Sequence, residues 1–125
     1  MPLLHIHLSE ARGADLARSV AREVFRALVD VAKAPEESQF CYIDVYPADR
    51  ILSHPTYGGV ERHDPVLIEI TMNVGRTAEV KTALYAAVAS NLNETLRLRP
   101  DDVMICLREV PKENWSFGGG RATYL

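Results

Sequence analysis

The chain repeats itself, and that repeat limits its fold more than any other feature. Twice, a short strand-like run leads into a long helical pattern and then into a second strand-like run. The halves register on Pro35-Glu36-Glu37 against Pro100-Asp101-Asp102, and on Cys41 against Cys106. Neighbouring parallel strands need a crossover of about a dozen residues or more, which a helix supplies. Two such β-α-β units in one α/β chain predict a single four-stranded sheet with two helices on one face. The other face is left without cover, so its apolar residues need a partner surface.

Local patterning places the elements. Residues 3–8 alternate, with Leu4, Ile6 and Leu8 on one face and Leu3, His5 and His7 on the other. Residues 14–32 read as a helix with Leu16, Val20, Val24, Leu28 and Val31 as its apolar stripe. Pro35 stops it. Residues 40–46, rich in aromatic and β-branched side chains, form the second strand. After a loop over residues 47–65 the pattern restarts, with a strand over residues 66–74 and a helix over residues 78–98. Val80, Leu84, Val88, Leu92 and Leu96 are that helix's stripe. Thr77 stands at its N-cap and Glu79 in its first turn, where a carboxylate complements the helix dipole. Residues 103–110 form the fourth strand. Residues 112–125 are a tail, with a turn or short hairpin expected around Gly118-Gly119-Gly120.

Composition narrows the function classes. A length of 125 residues is one domain, residues 1–125, and 47% hydrophobic residues can furnish a core. A net charge of −3 without a basic block excludes nucleic acid as the main partner. No apolar run is long enough for a membrane span, and the first residues lack a signal-peptide pattern. The expected compartment is therefore the cytoplasm, with no membrane partner. Cys41 and Cys106 sit in apolar runs and read as free buried thiols. His5 and His7 share a strand face as a metal pair would, but no third ligand follows at useful spacing. They are expected to pack at a subunit contact instead.

The motifs then point further. The start Met1-Pro2-Leu3-Leu4, the stretch from Ile68 to Thr77 with Lys81-Thr82-Ala83-Leu84-Tyr85, and the run from Glu109 to Gly118 carry a resemblance. Together with Arg99-Pro100-Asp101-Asp102-Val103, they resemble the tautomerase superfamily over essentially the whole chain. The likeness is to the longer, duplicated members of the subgroup that contains malonate semialdehyde decarboxylase. It implies a homotrimer, no metal or organic cofactor, and a small-molecule 2-oxo acid or aryl pyruvate as substrate. It implies that Pro2, freed by removal of Met1, is a catalytic amine, and that Arg76 binds the substrate carboxylate or an enolate oxygen. Ser38, Trp115 and Phe117 would line the substrate.

The chain departs from the decarboxylase branch at two places. Ser38 stands where that branch has an aspartate, and Val74 where it has the first of two arginines. A decarboxylase must hold and orient the carboxylate that leaves, so these replacements favour keto-enol tautomerisation. A decarboxylase or hydratase, or a catalytically quiet oligomeric member, is the alternative.

Overall fold

The computed structural model describes residues 1–125. Its elements are β1 (Leu3–Ser9), α1 (Ala14–Asp30), β2 (Phe40–Tyr46), β3 (Val66–Asn73), α2 (Ala78–Leu96) and β4 (Val103–Val110). The sheet order is β2-β1-β3-β4. Within each unit the strands are parallel, and the units meet through antiparallel β1 and β3. Ile6 lies opposite Ile68 at the centre of that seam.

Alternation decides which face is buried. Leu4, Ile6 and Leu8 of β1 and Val66, Ile68 and Ile70 of β3 are fully buried under the helices. Val20, Val24 and Leu28 of α1, with Leu84, Val88 and Leu92 of α2, close the core from above. The outer members of each expected stripe, Leu16 in α1, Val31 just past its end, and Val80 and Leu96 in α2, pack at its margin. Burying a side chain of this size contributes about 1.5–3 kcal/mol, so the central pairs carry much of the stability.

Both helices stop the same way, slightly earlier than their apolar patterns suggest. Lys33 and Arg97 turn into the left-handed region, at φ 58 and φ 59. The chain then folds back so that Ala34 N–H donates to Leu28 O at 3.1 Å and Leu98 N–H to Leu92 O at 3.2 Å. Thr77 is the N-cap of α2, its hydroxyl accepting from Val80 N–H at 3.2 Å.

Two expectations change, for the cysteines and for the open sheet face. The strands do not superpose as the cysteines suggest: Cys41 pairs with Leu4 on the helix-covered side, whereas Cys106 pairs with Glu69 on the open side. Cys41 is half-buried and its thiol pKa is pushed up to about 11 by burial. Cys106 is exposed rather than buried, because strand register and not local hydropathy sets its face. The tail takes the first of its two expected forms, a turn at Gly119 and Gly120, without a hairpin. The open sheet face carries exposed Tyr42 and Met104, but its middle is ionic, with His5, His7, Asp44, Glu69 and Arg108 in contact. No helix is long and apolar enough to cross a membrane.

Candidate active site

One end of the sheet gathers the groups singled out in the sequence. β1 and β2 begin there, β3 and β4 finish there, α1 ends and α2 begins. Pro2 is buried at the start of β1. Its neighbour Leu3 pairs with Phe40 on one side and Thr71 on the other. Pro2 therefore lies between the start of β2 and the end of β3.

Arg76 reaches this end from the β3–α2 turn. Gly75 makes the turn at φ 130, a conformation that a side chain would strain. The Arg76 guanidinium, half-buried, donates to Asn73 O at 3.3 Å and to Ala32 O at 3.2 Å. These bonds tie the turn to the end of α1. They use two of five N–H donors and leave the rest free. The N-terminus of α2 adds its partial positive charge nearby.

With Met1 in place, the free amine stands one residue ahead of the Pro2 nitrogen. The amine pKa is lowered, first by burial, then by the positive charges of Arg76 and Lys112. All three causes disfavour the protonated form. Close by, Lys81 pairs with Glu109, and that contact chiefly holds the Glu109 carboxyl below its ordinary range. Arg76 and Lys112 thus remain the cations that act on the amine.

The tail closes the outer wall. Trp115 Nε1–H donates to Oδ1 of buried Asn73 at 2.6 Å, and Asn73 Nδ2–H donates to Tyr124 Oη at 3.2 Å. Phe117 stacks on Phe40 with centroids 6.4 Å apart and meets Tyr124 edge-on at 5.5 Å. Trp115 and Phe117, expected as apolar walls, are thus joined to the strand ends beside Pro2 and Arg76. Ser38 sits in the turn before β2, its hydroxyl donating to Pro35 O at 2.7 Å. That proton closes the turn, while the oxygen keeps an acceptor lone pair.

Sequence reasoning did not single out Asn73, Phe40 or Lys112. Lys112 lies within the motif run, but nothing local tells which of its charges turns toward the amine. Arg12, the counterpart of Arg76 in the first unit, goes to the opposite end of the sheet. There it donates to Asp64 O at 2.6 Å and contacts buried Asp102 at 3.4 Å. The absence of a third metal ligand beside His5 and His7 is also corrected. Glu69 stands opposite His5 in the antiparallel seam, and the three form one cluster.

Fold and site together define a small duplicated β-α-β domain with a buried amino end flanked by arginine and lysine. A family profile described as "Tautomerase enzyme" matches residues 38–118. The probable tautomerase YusQ of Bacillus subtilis (strain 168) is 35% identical over 126 residues, covering 100% of this chain and 99% of that protein. Among solved structures, FG41 malonate semialdehyde decarboxylase inhibited by 3-bromopropiolate matches with a TM-score of 0.89 at 30% identity, covering 98% of this chain and 93% of that one. A second malonate semialdehyde decarboxylase matches with a TM-score of 0.89 at 26% identity, covering 98% and 95% of the two chains. The chain belongs to the tautomerase superfamily of enzymes.

Proposed function

We propose that this chain is a cofactor-independent keto-enol tautomerase acting on a small 2-oxo acid or aryl pyruvate. In this reading Met1 is removed, Pro2 is the acid-base group and Arg76 binds the carboxylate. The observation that carries it is the placement of buried Pro2 at the start of β1, at the sheet end that Arg76 reaches; on the Met1 amine one residue ahead, burial, Arg76 and Lys112 all disfavour the protonated form. Losing Met1 moves the free amine inward to buried Pro2, where desolvation favours the neutral base further.

The steps follow from those positions. The Pro2 nitrogen takes the enol hydroxyl proton or, in reverse, the proton α to the ketone. Arg76 donates to the carboxylate, and charge developing on the enolate oxygen is held by its free N–H groups. The prolinium then returns the proton at carbon, restoring the neutral amine. Trp115 and Phe117 shape an apolar wall against the substrate's side chain. Ser38 accepts a hydrogen bond from substrate or prolinium through its free lone pair.

A malonate semialdehyde decarboxylase or hydratase activity is the second reading, favoured by the likeness in shape to two decarboxylase structures. Ser38 and Val74 weigh against it. The open sheet face supports assembly, and we assign a homotrimer. Solved relatives include a fused 4-OT symmetric trimer at 24% identity and a TM-score of 0.77.

Intact mass and turnover test the proposal together. The expected mass lacks Met1, phenylenolpyruvate ketonises, and malonate semialdehyde releases little carbon dioxide. Pro2→Ala is expected to lower ketonisation at least a hundredfold. Full activity in that variant would remove Pro2 from the mechanism. Fast decarboxylation with an inert enol would select the second reading, and a native protein that keeps Met1 would mark a quiet family member.

A further inference from the structure

The open sheet face holds a second cluster of ligating side chains that the proposed chemistry does not use. His5 and His7 project from β1, Glu69 from β3, and their ligand atoms lie within 4.8 Å of one another. His5 is three residues along β1 from Pro2, on the order of 10 Å at the rise of a strand. His7 Nε2 lies 2.6 Å from Glu69 Oε2, and His5 Nδ1 lies 3.8 Å from the same oxygen. Tetrahedral bonds of about 2.0–2.2 Å set ligand atoms roughly 3.4 Å apart, so small side-chain adjustments suffice.

The surrounding contacts point the same way. His5 Nε2 lies 2.5 Å from Asp44 Oδ2, leaving Nδ1 to face Glu69. His7 Nδ1 lies 2.8 Å from Tyr46 Oη, leaving Nε2 to face Glu69. The other Glu69 oxygen, Oε1, is held by Arg108. Each ligating group therefore has its remote atom fixed by another side chain. That is how metal sites orient their histidines and carboxylates. Both histidines turn one ring nitrogen toward the same Glu69 oxygen, so a single ion that replaces the proton between His7 and Glu69 meets all three.

We propose that His5 Nδ1, His7 Nε2 and Glu69 Oε2 bind a divalent transition-metal ion of the zinc class. Two imidazoles and one carboxylate suit zinc and cobalt over magnesium or calcium, which prefer all-oxygen shells. In the single chain His5 is 40% and His7 17% exposed, which leaves a fourth position for water or for a group of a neighbouring subunit packed on this face. The assignment is independent of the role of Pro2.

Isothermal titration of the chelator-treated full chain with zinc chloride tests it. The expected result is one zinc per chain and no saturable binding of magnesium. His5→Gln and His7→Gln should each weaken zinc at least tenfold, and the double variant should lose it. Asp44→Asn should weaken it about tenfold by loosening His5. Cys106→Ser should leave it unchanged. Cobalt added to the wild-type chain should shift the His5 and His7 ring signals in proton NMR but not those of His54 or His63. Unmoved His5 and His7 signals would overturn the site whatever the variants do. So would zinc binding that survives the double histidine variant, or zinc binding lost in Cys106→Ser alone.

Discussion

Replacing Arg76 asks the most of the proposed site. Its guanidinium spends two N–H groups on Asn73 O and Ala32 O and keeps the others for an anion. A bidentate, charge-assisted pair with a carboxylate contributes about 2–3 kcal/mol in a half-buried setting. Arg76→Ala should therefore lower kcat/KM for phenylenolpyruvate by roughly 30- to 150-fold. Arg76→Lys keeps the charge but loses the fork, and should recover part of that loss. The split between constants locates the interaction. A rise in KM alone means equal grip on substrate and transition state, whereas a fall in kcat means grip on the enolate. The pH profile adds a separate readout. Arg76 is one of the cations that lower the amine pKa, so its removal raises that pKa. The neutral base is then lost at a higher pH, and the acid limb of kcat/KM moves upward. Arg76→Lys should leave the limb in place. An Arg76→Ala enzyme within threefold of wild type, with an unmoved acid limb, would refute both roles.

Other predictions concern the scaffold around the two sheet ends. Asp102 is 2% exposed and accepts from His63 N–H at 2.7 Å and Asp64 N–H at 3.1 Å, with Arg12 at 3.4 Å. Asp102→Ala should cost about 3 kcal/mol, roughly 10 °C in Tm at fixed protein concentration; a shift under about 2 °C would refute the anchoring role. Burial would raise the Asp102 pKa, but the His63 and Asp64 N–H groups and Arg99 outweigh it and hold the carboxyl below its ordinary value. Its contribution is thus full above about pH 4–5 and fades as pH falls through the depressed pKa, so wild-type and Asp102→Ala melting curves should converge in acid. Asn73→Ala strips the acceptor from Trp115, the chain's single tryptophan. It should red-shift the emission and raise KM; unchanged fluorescence would mean that the tail is held by Phe117 alone.

Much of this was legible in the sequence because secondary structure follows local periods. The 2-residue alternation of β1, the stripes of both helices and the Thr77 cap all show where they form, since each depends on neighbours within a turn or two. The bounds of β2 and β4 match their apolar runs. The duplication itself implied the sheet and its uncovered face. Long-range placement was another matter. Offset alignment of Cys41 with Cys106 misjudged their faces, because a strand's register reverses its side chains with a one-residue slip. Arg12 and Arg76 look equivalent in sequence, yet one is tied to Asp102 and the other stands beside the amine.

The amino acid sequence by itself determined that two β-α-β units would share one core, and its resemblance to the tautomerase superfamily implied roles for Pro2, Arg76, Ser38, Trp115 and Phe117. Only the tertiary structure decided which of them meet, and what meets them. Trp115 finds Asn73 across 42 positions of chain, and His7 finds Glu69 across 62. Such contacts leave no periodic trace in the chain. They arise when two patterned strands pair in one register, and that register is chosen by the whole buried face rather than by the residues that end up touching.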